Sequence, residues 1–130
     1  MSKRCEQKFL ICETCGNMVG LINDSGAPLI CCGQPMEELI ANTQDAAVEK
    51  HVPDVTISGD TINVTIGSVE HPMLEEHFIT WIYLKTEKGG QRRCLSPGMP
   101  PKATFKLTDG DTPLEVYEYC NLHGLWKKEL

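Results

Sequence analysis

Cysteine and histidine carry the chemistry of this sequence, and they are unevenly shared along it. Five of the seven Cys (Cys5, Cys12, Cys15, Cys31, Cys32) fall in the first 32 residues, whereas all four His (His51, His71, His77, His123) follow residue 50, with Cys94 and Cys120. Cys12-x2-Cys15, fifteen intervening residues and then Cys31-Cys32 can enclose one tetrahedral cation, either zinc or a single iron. Neighbouring side chains of an extended segment point to opposite sides, so the chain must bend at Cys31-Cys32 for both thiolates to reach one ion. Gly16 behind the first pair lets backbone N–H groups approach the sulfurs. Cys5 and Cys94 have no partner at a recognisable spacing and read as small apolar side chains or surface thiols.

The second set of donors is spread out. His51 stands in Glu49-Lys50-His51-Val52-Pro53, His71 in Glu70-His71-Pro72-Met73 and His77 in Glu75-Glu76-His77, while Cys120 and His123 share the run Cys120-Asn121-Leu122-His123-Gly124. All four His sit at expected strand or loop ends, where side chains from distant parts of a sheet can meet. A Cys-x2-His loop also suits a blue-copper site of two His, one Cys and a weak axial Met. Here Gly124-Leu125-Trp126 stands where that Met would be, and two His would be left over. Four imidazoles and one thiolate are better matched to a five-coordinate iron with one position open, copper being the alternative.

The elements that must position these donors are short strands. Residues 1–38 form a module below the ~40 residues at which a chain can bury its own core, a size at which a metal or disulfides usually supply the stability. Phe9–Ile11 and Met18–Ile22 read as its strands, with a turn at Asn23-Asp24-Ser25-Gly26. Residues 39–50 read as a polar linker containing a helical turn. From His51 the pattern is β: Val52–Ile57 and Thr61–Ile66 flank Ser58-Gly59-Asp60, and His77–Leu84 is apolar on both faces. Shorter strands are expected over Gln91–Leu95, Ala103–Leu107 and Leu114–Tyr119. The predicted fold is all-β: a small metal module (1–38) followed by an antiparallel β-sandwich (39–130).

Composition narrows the function. An apolar fraction of 41% and a charged fraction of 23% are those of a soluble globular chain. No apolar run approaches ~18 residues, so no membrane partner is expected, and the polar first residues argue against a signal peptide. Twelve basic against eighteen acidic side chains leave a net charge of −6, which argues against nucleic acid. A small anionic substrate would be repelled at long range and would need a local positive charge. Without an export signal the compartment is expected to be reducing, where clustered Cys bind metal rather than form bridges.

Glu-Lys-His-Val-Pro, Glu-His-Pro-Met, Glu-His-Phe-Ile-x-Trp and Cys-Asn-Leu-His-Gly-Leu-Trp resemble the signatures of desulfoferrodoxin, the two-iron class of superoxide reductase. The CxxC…CC module resembles desulforedoxin, the rubredoxin-like domain that precedes the neelaredoxin-like catalytic domain in that class. The resemblance covers essentially the whole chain, and only Cys5 and Cys94 fall outside the pattern. It implies one iron held by Cys12, Cys15, Cys31 and Cys32, and a second held by His51, His71, His77 and His123 in a plane with Cys120 axial. It further implies Lys50 and Glu49 beside the open position, an immunoglobulin-like seven-stranded sandwich, a homodimer, a cytoplasmic location and a rubredoxin-type electron donor. The implied reaction is one-electron reduction of superoxide to hydrogen peroxide without release of dioxygen. A two-centre electron carrier and a zinc-stabilised binding module are the competing readings. The first would leave superoxide loss unaccelerated, and the second would be colourless.

Overall fold

The structure, a computed structural model, describes residues 6–44 and 46–130. Cys5 lies outside the described residues. The chain divides into two compact units, residues 1–40 and 41–130. Among the described residues, no helix is long and apolar enough to cross a membrane.

The first unit is built from β1 (Phe9–Ile11), β2 (Met18–Gly20), β3 (Ile30–Cys31), β4 (Gln34–Pro35) and β5 (Glu37–Glu38). β1 pairs antiparallel with β2 on one side and β5 on the other, and β3 and β4 form a separate two-stranded ribbon. Leu39 N–H also bonds to Phe9 O, so pairing runs past the end of β5. Among the described residues of this unit, the buried hydrophobic ones are Phe9, Leu10 and Cys12. Three such side chains bury little apolar surface, so the cysteine cluster has to supply the fold's cohesion. The second strand is shorter than its sequence suggests, because Ile22 is 94% exposed and has no core to face.

The second unit opens with a single helical turn, α1 (Val48–His51), the turn expected within the linker. Seven strands follow: β6 (Pro53–Ser58), β7 (Thr61–Ile66), β8 (Ile79–Thr86), β9 (Gly89–Cys94), β10 (Lys102–Lys106), β11 (Pro113–Cys120) and β12 (Gly124–Glu129). They form two antiparallel sheets, ordered β10-β7-β6 and β12-β11-β8-β9, giving the β-sandwich that the sequence predicts. Period-2 alternation drives this arrangement. Ile62, Val64 and Ile66 of β7 face inward, while Thr61, Asn63 and Thr65 face out. With Ile79, Ile82 and Leu84 of β8, Phe105 of β10 and Val116 of β11 they form one core. Each such aliphatic side chain contributes about 1.5–3 kcal/mol on burial.

Cys120 belongs to this core cluster, at the end of β11. Unbroken alternation along β11 holds Val116, Glu118 and Cys120 inward, and all three are fully buried. Opposite them the β8 register shifts: Tyr119 pairs with Trp81 and Cys120 with Ile79, and the extra residue, Thr80, lets Ile79 join the core beside Cys120. β12 has no counterpart in the sequence reading, since Gly124-Leu-Trp-Lys-Lys-Glu alternates poorly. It forms because its whole length pairs with β11, from Glu115↔Glu129 to Cys120↔Gly124.

On the outer face of the larger sheet, Trp81 stacks on Tyr119 and Tyr83 lies beside Tyr117. The Tyr83 phenol lies over Gly90 of β9, where any Cβ would collide with it. Gly90→Ala is therefore expected to lower the unfolding free energy of the 41–130 unit by about 1–3 kcal/mol in denaturant titration. In a Tyr83→Ala background the same substitution is expected to cost far less, as a double-mutant cycle would measure.

Candidate metal centres

The first centre lies in the 1–40 unit. The four sulfurs of Cys12, Cys15, Cys31 and Cys32 all lie within 4.8 Å of one another, and Cys15 Sγ is 3.6 Å from Cys31 Sγ. A tetrahedral ion with metal–sulfur bonds near 2.3 Å needs sulfurs ~3.8 Å apart, so the cluster fits. The predicted bend is present: Cys32 adopts φ 53°, a left-handed conformation rare outside glycine, and it turns the second sulfur back toward the first. Gly16, at φ 83°, closes the other knuckle, and its N–H bonds to Cys12 O. Asn17 N–H then lies 3.4 Å from Cys15 Sγ, and Asn17 Nδ2 lies 3.7 Å from Cys31 Sγ.

Charge in this cluster is unbalanced without a cation. Backbone N–H donation, chiefly from Cys15, pulls the Cys12 thiol down to about 6. Contact with Cys15 and the other sulfurs pushes Cys32 up to about 12. The four sulfurs therefore do not all ionise unaided. A bound cation would supply the charge that lets all four act as thiolates.

The second centre is assembled from three places along the chain. His51 ends α1, His71 and His77 lie within the connection between β7 and β8, and Cys120 and His123 bracket the β11–β12 turn. Ring centroids are 4.7 Å apart for His51–His71, 4.6 Å for His71–His77, 5.0 Å for His77–His123 and 4.9 Å for His51–His123. Neighbouring rings are turned 73–84° to one another. The His51–His77 diagonal is 6.5 Å, close to the edge length multiplied by the square root of two. The four imidazoles therefore form a square.

Their nitrogens converge. His51 Nε2 is 3.2 Å from both His71 Nε2 and His123 Nδ1, against ~3 Å for cis nitrogens on a metal with bonds near 2.1 Å. Cys120 Sγ lies 3.5 Å from His71 Nε2 and 3.8 Å from His123 Nδ1. His51 Nδ1 is 2.7 Å from Ala47 O and His71 Nδ1 is 2.7 Å from Pro72 O. These carbonyls hold the protons on Nδ1 and leave each Nε2 lone pair free for a metal. His77 Nε2 is buried with no hydrogen-bond partner among the described residues, a donor atom that a metal would satisfy.

Burial pushes the Cys120 thiol up, partly offset by the N–H groups of Leu122 and His123, so the thiolate also calls for a cation. Trp126 stacks on His51, with centroids 5.0 Å apart, and donates Nε1–H to His123 O at 3.0 Å. Glu118 is fully buried two residues before Cys120, with neither oxygen hydrogen-bonded, and burial raises its pKa well above the usual carboxylate range. Its buried setting disfavours the charged form.

All nine donors singled out in the sequence thus fall into two groups. Lys50 and Glu49 are exposed on the turn that carries His51. Burial first, and the Lys50 charge among lesser causes, lowers the pKa of both His51 and His77, so the field of Lys50 reaches the imidazole square. Cys94 is exposed at the end of β9, opposite Trp81, and joins neither group. Sequence reasoning missed Asn17, Trp126 and Glu118. Trp126 had a signal, lying three residues after His123.

Residues 43–129 match the family model described as Desulfoferrodoxin, and residues 4–39 match the one described as Desulfoferrodoxin, N-terminal domain. The chain is 52% identical over 118 residues to a desulfoferrodoxin of Syntrophotalea carbinolica, covering 91% of this chain and 92% of that one. Among solved structures, the superoxide reductase of Treponema pallidum aligns with a TM-score of 0.81 and 40% identity, over 95% of this chain and 99% of that one. The 1Fe superoxide reductase of Giardia intestinalis aligns over 63% of this chain and 99% of its own, with a TM-score of 0.54 and 35% identity.

Protonation of the square has a defined sign. Burial holds His71 down to about 4, from an ordinary 6.5, and lowers His51 and His77 as well. Between those values the unfolded chain binds more protons than the folded one. Stability is therefore fully present above the unfolded value and declines as pH falls toward the folded one. Metal-free protein is expected to unfold at lower urea at about pH 5 than at about pH 7.5. Fluorescence of Trp81 and Trp126, both within 41–130, would follow the transition. Equal midpoints would contradict the packing of the square.

Proposed function

The chain belongs to the desulfoferrodoxin family, and from that premise we propose which of its residues perform the family's reaction and how. The protein is a superoxide reductase: superoxide, one electron and two protons become hydrogen peroxide, with no dioxygen released. It has two iron sites. Cys12, Cys15, Cys31 and Cys32 hold one iron, in a module spanning 1–38. His51, His71, His77, His123 and Cys120 hold the other, in the catalytic domain spanning 39–130. The observation that carries this assignment is the square of converging imidazole nitrogens with a buried thiol beside it. Iron bound by these five side chains would supply the one-electron reducing chemistry that superoxide reduction needs.

The chain's contribution is to make this site accept an anion. Four neutral imidazoles and one thiolate bring a single negative charge to a dication, so the loaded site keeps a net positive charge. Burial, which opposes protonation of His51, His71 and His77, keeps those rings available as ligands. Lys50, exposed beside His51, supplies the local positive charge that a chain of net −6 otherwise denies superoxide. Its acidic neighbours Glu49, Glu70, Glu75 and Glu76 are all exposed. Glu49, exposed on the same turn, would be the carboxylate available to the open position once peroxide has left. A rubredoxin-type electron donor, a cytoplasmic setting and a homodimeric working form complete the proposal. Their support is the family pattern and a cysteine set suited to a reducing compartment.

Three measurements test it. Superoxide consumption with peroxide and dioxygen both quantified is expected to yield peroxide alone. Dioxygen would indicate dismutation, and an unaccelerated loss of superoxide would leave a pure electron carrier. Cys120→Ser is expected to remove the thiolate-to-ferric charge-transfer colour and most of the activity, and persistence of that colour would move the assignment to another thiol. Lys50→Ile is expected to lower the second-order rate by about tenfold or more while changing stability by no more than ~0.5 kcal/mol. The wild-type rate should fall with added salt, because screening limits an exposed charge to ~8–10 Å. In Lys50→Ile that slope should flatten or reverse, and an unchanged rate and slope would return Lys50 to an ordinary surface lysine.

A further inference from the structure

The turn that carries Glu49, Lys50 and His51 is one helical turn of four residues, with no side-chain cap at its start. A helix that short does not persist alone, and its last carbonyls have no partner within it. One of them, that of Glu49, is taken up by the segment that follows β7, as is the carbonyl of Val52, the residue that caps the turn. Val69 N–H donates to Glu49 O at 3.0 Å, Ser68 Oγ–H donates to the same oxygen at 3.3 Å, and Gly67 N–H donates to Val52 O at 3.1 Å. Gly67 is buried at φ 82° and packs directly on the backbone of the turn. A Cβ there would stand 2.5 Å from Val69 O, 2.8 Å from Glu49 O and 2.8 Å from Lys50 C. These are backbone atoms, so only glycine fits without moving the turn. Two residues beyond Val69 comes His71, whose Nε2 is 3.2 Å from that of His51.

We propose that Gly67 and Ser68 are positioning residues for superoxide reduction: they bracket the Glu49 and Lys50 backbone, fixing the lysine over the imidazole square and setting His51 against His71. This rests on the reading of Lys50 as the charge that draws in superoxide. The three hydrogen bonds and the close approach tie the chain on either side of His51 to the segment that leads into His71. A displacement of the turn therefore moves Lys50 and His51 together.

The test uses iron-loaded full-length protein with Gly67→Ala and Ser68→Ala, with Lys50→Ile as reference. Hydrogen exchange of segments 48–52 and 67–70 reads the bracket itself. Electron paramagnetic resonance of the ferric catalytic centre reads the setting of His51. The superoxide rate and its salt slope read the placement of Lys50. Gly67→Ala is expected to keep both irons and the tetrathiolate absorption, while exchanging faster in both segments and shifting the ferric signal. Its rate should fall by about tenfold, with the flattened slope of Lys50→Ile. Ser68→Ala, which loses one of the two bonds to Glu49 O, should move the same readouts in the same direction by less. A folded Gly67→Ala with only a lower melting temperature, but wild-type rate, slope and ferric signal, would overturn the proposal. If Gly67→Ala does not fold, unchanged exchange and rate in Ser68→Ala would overturn it. Should Lys50→Ile leave the rate unaltered, the steering reading fails separately. An unchanged ferric signal and unchanged exchange in Gly67→Ala would then overturn the bracket.

Discussion

His51 and His71 present their Nε2 atoms to each other at 3.2 Å, each with its Nδ1 group tied to a backbone carbonyl. Two lone pairs held this close in a buried place call for a shared metal ion, and the backbone has to enforce the ring positions that offer them to it. Much of the catalytic unit can be understood as that enforcement. Ala47 and Pro72 set the rotation of the two rings, Trp126 backs His51 and fixes the carbonyl of His123, and the core holds Cys120 beneath them. The sandwich supplies rigidity, and the ligands stand on the loops and ends that it anchors.

The two centres face the same electrostatic problem with different means. In the small unit the sulfurs are held by tight local geometry, with left-handed backbone at Gly16 and Cys32 and amide donors from Asn17. Little apolar packing surrounds them. In the larger unit the donors come from segments 72 residues apart, His51 to His123, and long-range β pairing brings them together. The local cluster has a recognisable spacing for that reason, whereas the dispersed one is defined only by the fold.

That contrast also explains what could be read from the residues. Cys12-x2-Cys15 and Cys31-Cys32 announce their cluster, and the alternation of Thr61–Ile66 announces an inward face. The four His were legible as candidates because each sits at a strand or loop end, yet their order around the square was not, since it depends on which loops the sandwich brings side by side. β12 escaped notice because it is specified by its partner β11 rather than by its own pattern. Glu118 could not be anticipated, because a carboxyl between Val116 and Cys120 on an inward face contradicts the composition expected of a core. The demand for glycine at 67 and 90 comes from atoms that are distant in sequence, and no local signal reports it.

Asn42 pairs with the outer edge of β12 in the manner of a strand residue. Its N–H donates to Leu125 O, its side-chain amide donates to Lys127 O, and its side-chain carbonyl accepts from Lys127 N–H. One residue in left-handed backbone, at φ 62°, thereby occupies an edge that would otherwise be open to intermolecular strand addition. The hydrogen-bonded territory of the catalytic unit thus reaches back to within two residues of Ile40, where the first unit ends. The edge strand and the residue that covers it belong to the same unit, so this protection travels with residues 41–130 and draws on nothing before them.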